Sequence, residues 1–188
     1  LTHYEPAFCF CFQAPARRLF VAESVHNPQG GLFVKAFEYQ APTSIRAAVA
    51  LLAEKGERAR PLAGGTDLLV QMRLGLCDVD MIVDMKHIPE LRRLDYDTHA
   101  GLTIGAAVTC AELGEFAPLR AHYPGLWDGI GIIGGSAIQG RATVGGNLCN
   151  AAPSGDSIAA LIVLGAMATI EGPMGMRDVP VAEFCVGP

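Results

Sequence analysis

One stretch constrains this chain more than any other, residues 142–156, which read ATVGGNLCNAAPSGD. Its paired glycines, Gly145–Gly146, can adopt backbone conformations with positive φ and let a ligand approach the main chain closely. Thr143, Asn147 and Asn150 add hydroxyl and amide hydrogen-bonding groups around them. Backbone N–H groups near a helix start suit an anion, most often a phosphate. The alternative interpretation is a glycine-rich turn between two core elements, because short glycine motifs are common.

A second stretch strengthens the anion interpretation. The stretch at 142–156 is followed by an apolar segment, Ile158–Leu164, which is predicted to be a helix. Pro153 breaks the chain before this helix, and Asp156 is predicted to cap it. Residues 60–69, RPLAGGTDLL, again combine paired glycines, a hydroxyl and a carboxylate ahead of an apolar run. Two such loops in one small domain predict a site that holds the two phosphates of a dinucleotide between them.

Composition excludes several other classes of protein. The chain has 188 residues, of which 51% are hydrophobic and 18% charged, as in a well-buried soluble protein of one domain or two small ones. A net charge of −5 with no basic cluster disfavours nucleic acid as a partner. No apolar run approaches the ~20 residues that span a bilayer. Six cysteines without zinc or iron–sulfur spacing predict no metal site and a reducing compartment, hence the cytoplasm.

The first 33 residues differ from the rest. They begin with Leu and mix Pro, Gln, Asn and Gly without a clear period. We expect residues 1–33 to be a disordered or weakly docked extension, or an upstream stretch that was read into the protein. Arg17–Val21 resembles the start of a twin-arginine export signal, but the polar residues 22–31 lack the apolar stretch that such a signal needs. The organised chain is expected to start at Val34.

Residues 34–88 are predicted to form a small first subdomain. Hydrophobic periodicity gives a β-α-β-α-β order and therefore a mostly parallel sheet. The predicted strands are 34–39, 60–63 and 81–84, and the predicted helices are 45–54 and 67–74. Gly64 and Gly65 then lie at a strand-to-helix turn, where α/β sheets usually bind ligands.

Residues 89–188 are predicted to form a second, larger subdomain of hairpins and helices, which makes the whole chain α+β. The predicted strands are 91–94, 102–105, 167–171 and 176–179. The predicted helices are 110–116, 118–122, 127–133 and 158–164, with a polar loop at 134–141. The sequence stops after residues 184–188 without a terminating helix, which we interpret as an interruption.

In this order and spacing the motifs resemble the FAD-binding (medium) subunit of the molybdenum hydroxylases, of the carbon monoxide dehydrogenase or xanthine dehydrogenase type. The resemblance covers about residues 34–188 and rests on residues 35–39, 63–67, 138–147 and 152–156. It implies an α+β, PCMH-type flavoprotein fold in which two subdomains grip FAD. Family members continue into a C-terminal domain that covers part of the flavin. This chain lacks that domain, so the resemblance implies a fragment or a truncated product.

The resemblance also assigns cofactor contacts by position. The first loop, Pro61 to Leu68, would wrap the diphosphate and adenosine side, and the second loop, Thr143 to Asn147, would bind the diphosphate. Asp156 matches a residue that accepts hydrogen bonds from the ribityl chain, Asn150 lies beside it, and Ile133 matches a position near the isoalloxazine ring. The full set is Pro61, Leu62, Ala63, Gly64, Gly65, Thr66, Asp67, Leu68, Ile133, Thr143, Val144, Gly145, Gly146, Asn147, Asn150 and Asp156. No catalytic side chain and no metal ligand is expected.

Some of these residues have structural alternatives. Asp67 and Asp156 would serve equally well as helix caps. Arg141 would pair either with phosphate or with a neighbouring acid. Cys149 lies inside the motif and is interpreted as a small packing residue, because nothing nearby indicates a lowered pKa.

The family implies that the flavin is the last relay of a three-part enzyme. A large subunit with the molybdenum cofactor oxidises substrate, and a small subunit passes electrons through [2Fe–2S] clusters to FAD. The flavin delivers them to NAD⁺, a quinone or oxygen, while the protein holds and tunes it. Two alternatives stay open: a stand-alone flavin oxidoreductase of the same superfamily, and a truncated product without catalytic function.

Overall fold

The computed structural model describes residues 34–152 and 155–185, together with the backbone of Phe8–Cys9. The predictions for Pro153 and for most of residues 1–33 therefore lie outside the described residues. Within the described part of the chain, no helix is long and apolar enough to cross a membrane. No group of three or more His, Cys, Asp or Glu side chains in these residues is placed to hold a metal ion.

The elements alternate in type at first and are mostly helical later. The strands are β1 (Phe8–Cys9), β2 (Glu38–Gln40), β3 (Ala59–Leu62), β4 (Met81–Asp84), β5 (Leu94–Asp97), β6 (Gly101–Ile104), β7 (Met167–Gly172) and β8 (Gly175–Pro180). The helices are α1 (Ile45–Lys55), α2 (Leu68–Arg73), α3 (Cys110–Glu115), α4 (Ala117–His122), α5 (Pro124–Gly131), α6 (Ser136–Gln139), α7 (Val144–Asn150), α8 (Asp156–Val163) and α9 (Val181–Phe184).

The first part of the chain is a three-stranded parallel sheet with β4 between β2 and β3. All four residues of β4 are buried, as expected for a central strand covered on both faces. Met81 and Val83 pack into one apolar cluster with Leu52 of α1, whereas Ile82 packs into a second cluster with Met72 of α2. The alternation of side chains along β4 therefore places α1 on one face of the sheet and α2 on the other.

The helix predicted at 45–54 is confirmed as α1, and local signals at both ends explain its bounds. Ser44 caps the helix, since its hydroxyl accepts a hydrogen bond from the Ala47 N–H at 3.3 Å. Gly56 ends it with φ of +54°, a conformation that favours glycine. Strand 81–84 is confirmed, whereas the first strand is shorter and later than the predicted 34–39.

The second part packs helices against antiparallel strands. β5 pairs with β6, and β7 pairs with β8 on one side and with β1 on the other. One large cluster of buried apolar side chains joins α3, α4, α5, α7, α8 and β7, with Leu113, Leu119, Ile130 and Leu148 at its centre. This core supports the segment that carries the second glycine motif.

Three local predictions are wrong. The strand predicted at 91–94 begins only at Leu94, because Pro89–Arg92 forms a 3₁₀ turn with proline in its first position and Leu91 buried. The polar loop predicted at 134–141 contains the short helix α6. Residues 143–147 were expected to form a loop, but α7 starts at Val144, so the paired glycines lie in its first turn. The division of the chain at residue 88 stays a prediction.

Candidate functional site

The first glycine loop connects the end of β3 to the start of α2. Gly65 has φ of +81°, so the turn needs a residue without a β-carbon. Asp67 stands at the cap position of α2, but its side chain makes no capping hydrogen bond. The capping alternative for Asp67 is therefore not realised, and this exposed carboxylate remains at the mouth of the loop.

The second glycine motif is a capped helix start. The Thr143 hydroxyl accepts a hydrogen bond from the Gly146 N–H at 2.9 Å, and Thr143 itself is only 2% exposed. Thr143 also forms a β-bridge with Thr109, and the Cys110 N–H donates to the Ala142 carbonyl at 2.8 Å. Because Thr109 begins α3 in the same way, the starts of α3 and α7 are fixed to each other.

The two motifs touch through their main chains. A β-carbon placed on Gly64 would lie 2.1 Å from the carbonyl oxygen of Arg141 and 3.0 Å from the Cα of Ala142. No side chain fits between these segments, so glycine at position 64 is a packing requirement. The structure thus places the two sequence motifs, almost eighty residues apart, side by side.

Two side-chain hydrogen bonds extend this junction. Gln71 of α2 donates from Nε2 to the Asn150 Oδ1 of α7 at 3.0 Å. Ser157 of α8 donates from Oγ to the Asn147 Oδ1 at 2.7 Å. Asn147 and Asn150 are both half-buried, whereas Ser157 is completely buried. Both asparagines of the second motif are therefore held by residues from neighbouring helices.

A partly buried ion pair supports the first loop. The Lys86 ammonium donates to Asp84 Oδ1 at 2.6 Å and to the Ala63 carbonyl at 3.2 Å, one residue before Gly64. Asp84 is 3% exposed and also accepts a hydrogen bond from the Tyr39 hydroxyl. Burial alone raises the pKa of Asp84, but the hydrogen bonds from Lys86 and Tyr39 outweigh it and hold that pKa below 3.8. The carboxylate therefore stays charged and keeps Lys86 on the loop.

Apart from Asp156, the other predicted site residues are buried or half-buried, the half-buried ones being Pro61, Thr66, Leu68 and Gly146. Leu62, Ala63, Val144 and Gly145 are buried behind the loops, where they shape the backbone. Ile133 is 9% exposed and belongs to the core cluster of the second part, while its neighbour Ile132 is 67% exposed.

The predicted capping role of Asp156 is wrong. Gly155 occupies the cap position of α8, and Asp156 is the exposed first residue of that helix. An acidic side chain in a first turn is favourable without capping it, because the helix dipole is positive there. The main chain of Asp156 is closely packed, since a β-carbon on Gly129 would lie 2.8 Å from its carbonyl oxygen.

Comparisons with known proteins show the family to which the chain belongs. Residues 35–188 match the family described as the FAD binding domain in molybdopterin dehydrogenase. The chain belongs to this family. It is 35% identical over 151 residues to the carbon monoxide dehydrogenase medium chain of Hydrogenophaga pseudoflava, covering 80% of this chain and 52% of that protein. It is 36% identical over 150 residues to the xanthine dehydrogenase FAD-binding subunit of Escherichia coli O157:H7, covering 80% and 51%.

Solved structures agree with this assignment of the FAD domain. The chain superimposes with a TM-score of 0.78 and 34% identity on a carbon monoxide dehydrogenase from Hydrogenophaga pseudoflava, covering 82% of this chain and 54% of that one. Quinoline 2-oxidoreductase from Pseudomonas putida 86 gives a TM-score of 0.78 at 28% identity, covering 82% and 54%. The chain spans about half the length of the curated relatives it matches. The resemblance read from the sequence, the α+β fold and the FAD cofactor are confirmed.

Sequence reasoning missed three polar residues of this FAD domain. Lys86 follows the buried end of β4, and the carboxyl ends of parallel strands are where ligands of such sheets bind. That rule was sufficient to find it. Gln71 lies one helical turn beyond the first loop, and Ser157 lies next to Asp156, but no pattern in the sequence pairs them with the two asparagines.

Proposed function

We propose that this chain holds FAD across the junction of its two glycine motifs and serves as the flavin subunit of a molybdenum hydroxylase. In that role it passes electrons from the [2Fe–2S] clusters of a small partner subunit to an external acceptor. A large partner subunit with the molybdenum cofactor would oxidise the substrate. The acceptor would be NAD⁺, a quinone or oxygen.

The observation that carries this proposal is the backbone contact between Gly64 and Arg141. Family membership gives the cofactor, and the contact brings both predicted phosphate-binding segments to one place. The chemistry of the residues fits a dinucleotide: glycines leave the main chain accessible, and hydroxyl and amide groups surround it. The bound flavin supplies the electron transfer, which no side chain here provides.

The chain's own residues bind and orient the cofactor in this proposal. The first loop, residues 61–68, and the start of α7 hold the diphosphate, with Thr143 fixing the first turn of that helix. Asn150 and Asp156 would bind the ribityl chain, and Ile133, which is part of the core, would pack near the isoalloxazine ring. We also place the protein in the cytoplasm, since Cys77, Cys110 and Cys185 carry free thiols.

Visible absorption of the purified chain tests the cofactor assignment. We expect flavin bands that survive desalting after incubation with FAD, and quenched or shifted flavin fluorescence on titration. Folded protein, shown by circular dichroism, that retains no flavin would refute binding by this chain alone. Co-purification with molybdenum and iron–sulfur subunits from the source cell, with loss of the complex when residues 35–185 are deleted, tests the partner assignment separately.

A further inference from the structure

The geometry points to Gln71 and Ser157 as positioning residues that turn the amides of Asn150 and Asn147 so that both present N–H donors to oxygen atoms of the cofactor. This inference rests on the proposed FAD site and deepens it. Neither residue belongs to a glycine motif, and each comes from a different helix, α2 and α8.

The orientation of Asn147 follows from its buried neighbour. Ser157 is 0% exposed, and its hydroxyl donates to Asn147 Oδ1 at 2.7 Å. An amide carbonyl oxygen only accepts hydrogen bonds, so this contact directs the oxygen toward α8 and the NH₂ group away from that bond. A buried hydroxyl without a partner would be costly, which makes the pairing a strong constraint on the asparagine.

The side-chain carbonyl oxygen of Asn150 is likewise held by a hydrogen bond, in this case from helix α2. Gln71 donates from Nε2 to Asn150 Oδ1 at 3.0 Å, so this carbonyl oxygen is also engaged by the protein. Among the described residues, no acceptor is paired with the NH₂ group of either asparagine, and no buried side-chain nitrogen or oxygen lacks a partner. The hydrogen-bonding capacity left at both positions is therefore mainly that of a donor.

A surface of donors selects for acceptors. Phosphate oxygens accept hydrogen bonds and carry charge, and ribityl hydroxyl oxygens also accept. Asn147 is the fourth residue of α7, which begins just after the Arg141–Ala142 segment that packs against Gly64, and Asn150 ends that helix. We therefore assign the two amides to oxygen acceptors of FAD, with the diphosphate as the expected source for Asn147.

Neutral substitutions test this without changing the charge of the site. In S157A and Q71M the amide loses the donor that orients it, and we expect FAD to bind each variant about tenfold more weakly, the loss of about one hydrogen bond to a charged group. The matched control is S44A, which also removes a serine hydroxyl from a hydrogen bond but lies at the cap of α1. We expect S44A to lower the stability of the apoprotein and to leave the FAD dissociation constant unchanged.

Three readouts distinguish positioning from a purely structural role. The FAD dissociation constant of the folded protein, the urea midpoint of the apoprotein, and the side-chain NH₂ signals of the two asparagines in ¹⁵N-resolved NMR are measured for each variant. We expect S157A to shift the NH₂ signals of Asn147 and Q71M to shift those of Asn150, each more than the other pair. Competition with ADP identifies the acceptor: a parallel loss of ADP affinity assigns the amide to the diphosphate, and a loss for FAD alone assigns it to the ribityl chain.

The outcomes separate this inference from the proposed function. If the unsubstituted chain binds FAD and both variants bind it equally well, the positioning role is refuted while the FAD site stands. If the unsubstituted folded chain does not bind FAD, the proposed FAD site is refuted. If, in addition, neither substitution shifts the NH₂ signals of the asparagines, the inferred orientation of the two amides is refuted as well.

Discussion

Replacing Gly64 by alanine tests the junction on which the cofactor site depends. The new β-carbon would lie 2.1 Å from the Arg141 carbonyl oxygen and 2.8 Å from the carbonyl carbon. Close carbon–oxygen contacts need about 3.3 Å, so the two segments must separate by about 1.2 Å. Both sides are main chain, so no side-chain rotation relieves the overlap. We expect the free energy of unfolding to fall by about 2–3 kcal/mol, the upper range for overpacking.

Separating the two segments should also weaken the binding of FAD. If the shift removes one hydrogen bond to the diphosphate, worth about 1.5–3 kcal/mol, FAD should bind roughly 10- to 150-fold more weakly. Urea denaturation of the apoprotein and titration of flavin fluorescence measure the two effects. The control is Gly114→Ala in α3, where a β-carbon meets nothing within 4 Å and helix propensity predicts a gain of about 0.5–1 kcal/mol. An unchanged stability and FAD affinity in Gly64→Ala would refute the close approach of the two motifs.

Four further predictions concern groups in and around the site. Lys86→Met should lower the free energy of unfolding by about 2–3 kcal/mol, because the buried Asp84 carboxylate loses its ammonium partner. In urea denaturation Lys35→Met, at an exposed ion pair, should have a much smaller effect. Because the pKa of Asp84 is lowered in the folded state, its contribution is present above pH 3.8 and lost as the pH falls further, and Asp84→Asn should remove this acid-dependent part. Thr143→Ala should cost about 1 kcal/mol by removing the cap of α7, while Thr143→Ser should retain it. Burial raises the pKa of Cys110 to about 11, so maleimide at pH 8 should label this thiol only after unfolding, and labelling of the native protein would contradict its burial.

The parts of the fold that local chemistry determines were predictable from the sequence. Strand 81–84 begins with the apolar run Met81–Val83, and the cap and stop of α1 are Ser44 and Gly56, so each signal lies within or next to the element that it defines. The start of the hairpin was missed because Leu91 is buried against residues of the first sheet and its neighbours form a proline-led turn instead. That contact joins distant parts of the chain, and no local pattern reports it.

The site shows the same division between local and distant causes. Both glycine motifs were visible as sequence patterns, but their roles differ: Gly65 supplies a positive φ, Gly64 a close approach, and Gly145 a place in a helix. The sequence cannot distinguish these uses, because each depends on what lies opposite the glycine. The same holds for Gln71 and Ser157, whose partners are 79 and 10 residues away.

Because the two motifs belong to different apolar clusters, binding and packing should be thermodynamically linked. Leu62 anchors the first loop in the apolar cluster between the parallel sheet and α2. Val144 and Leu148 anchor the second motif in the large apolar cluster of the helices in the second part of the chain. A ligand that contacts both loops needs them in the relative position seen in the structure. Its binding therefore stabilises that relative position as well as each loop. For any variant, a free FAD concentration 100 times the dissociation constant of that variant adds about 2.7 kcal/mol to its free energy of unfolding. That gain is comparable to the cost expected for a misfit at Gly64, which means that excess cofactor should restore the folded state of a junction variant even where the apoprotein is unstable.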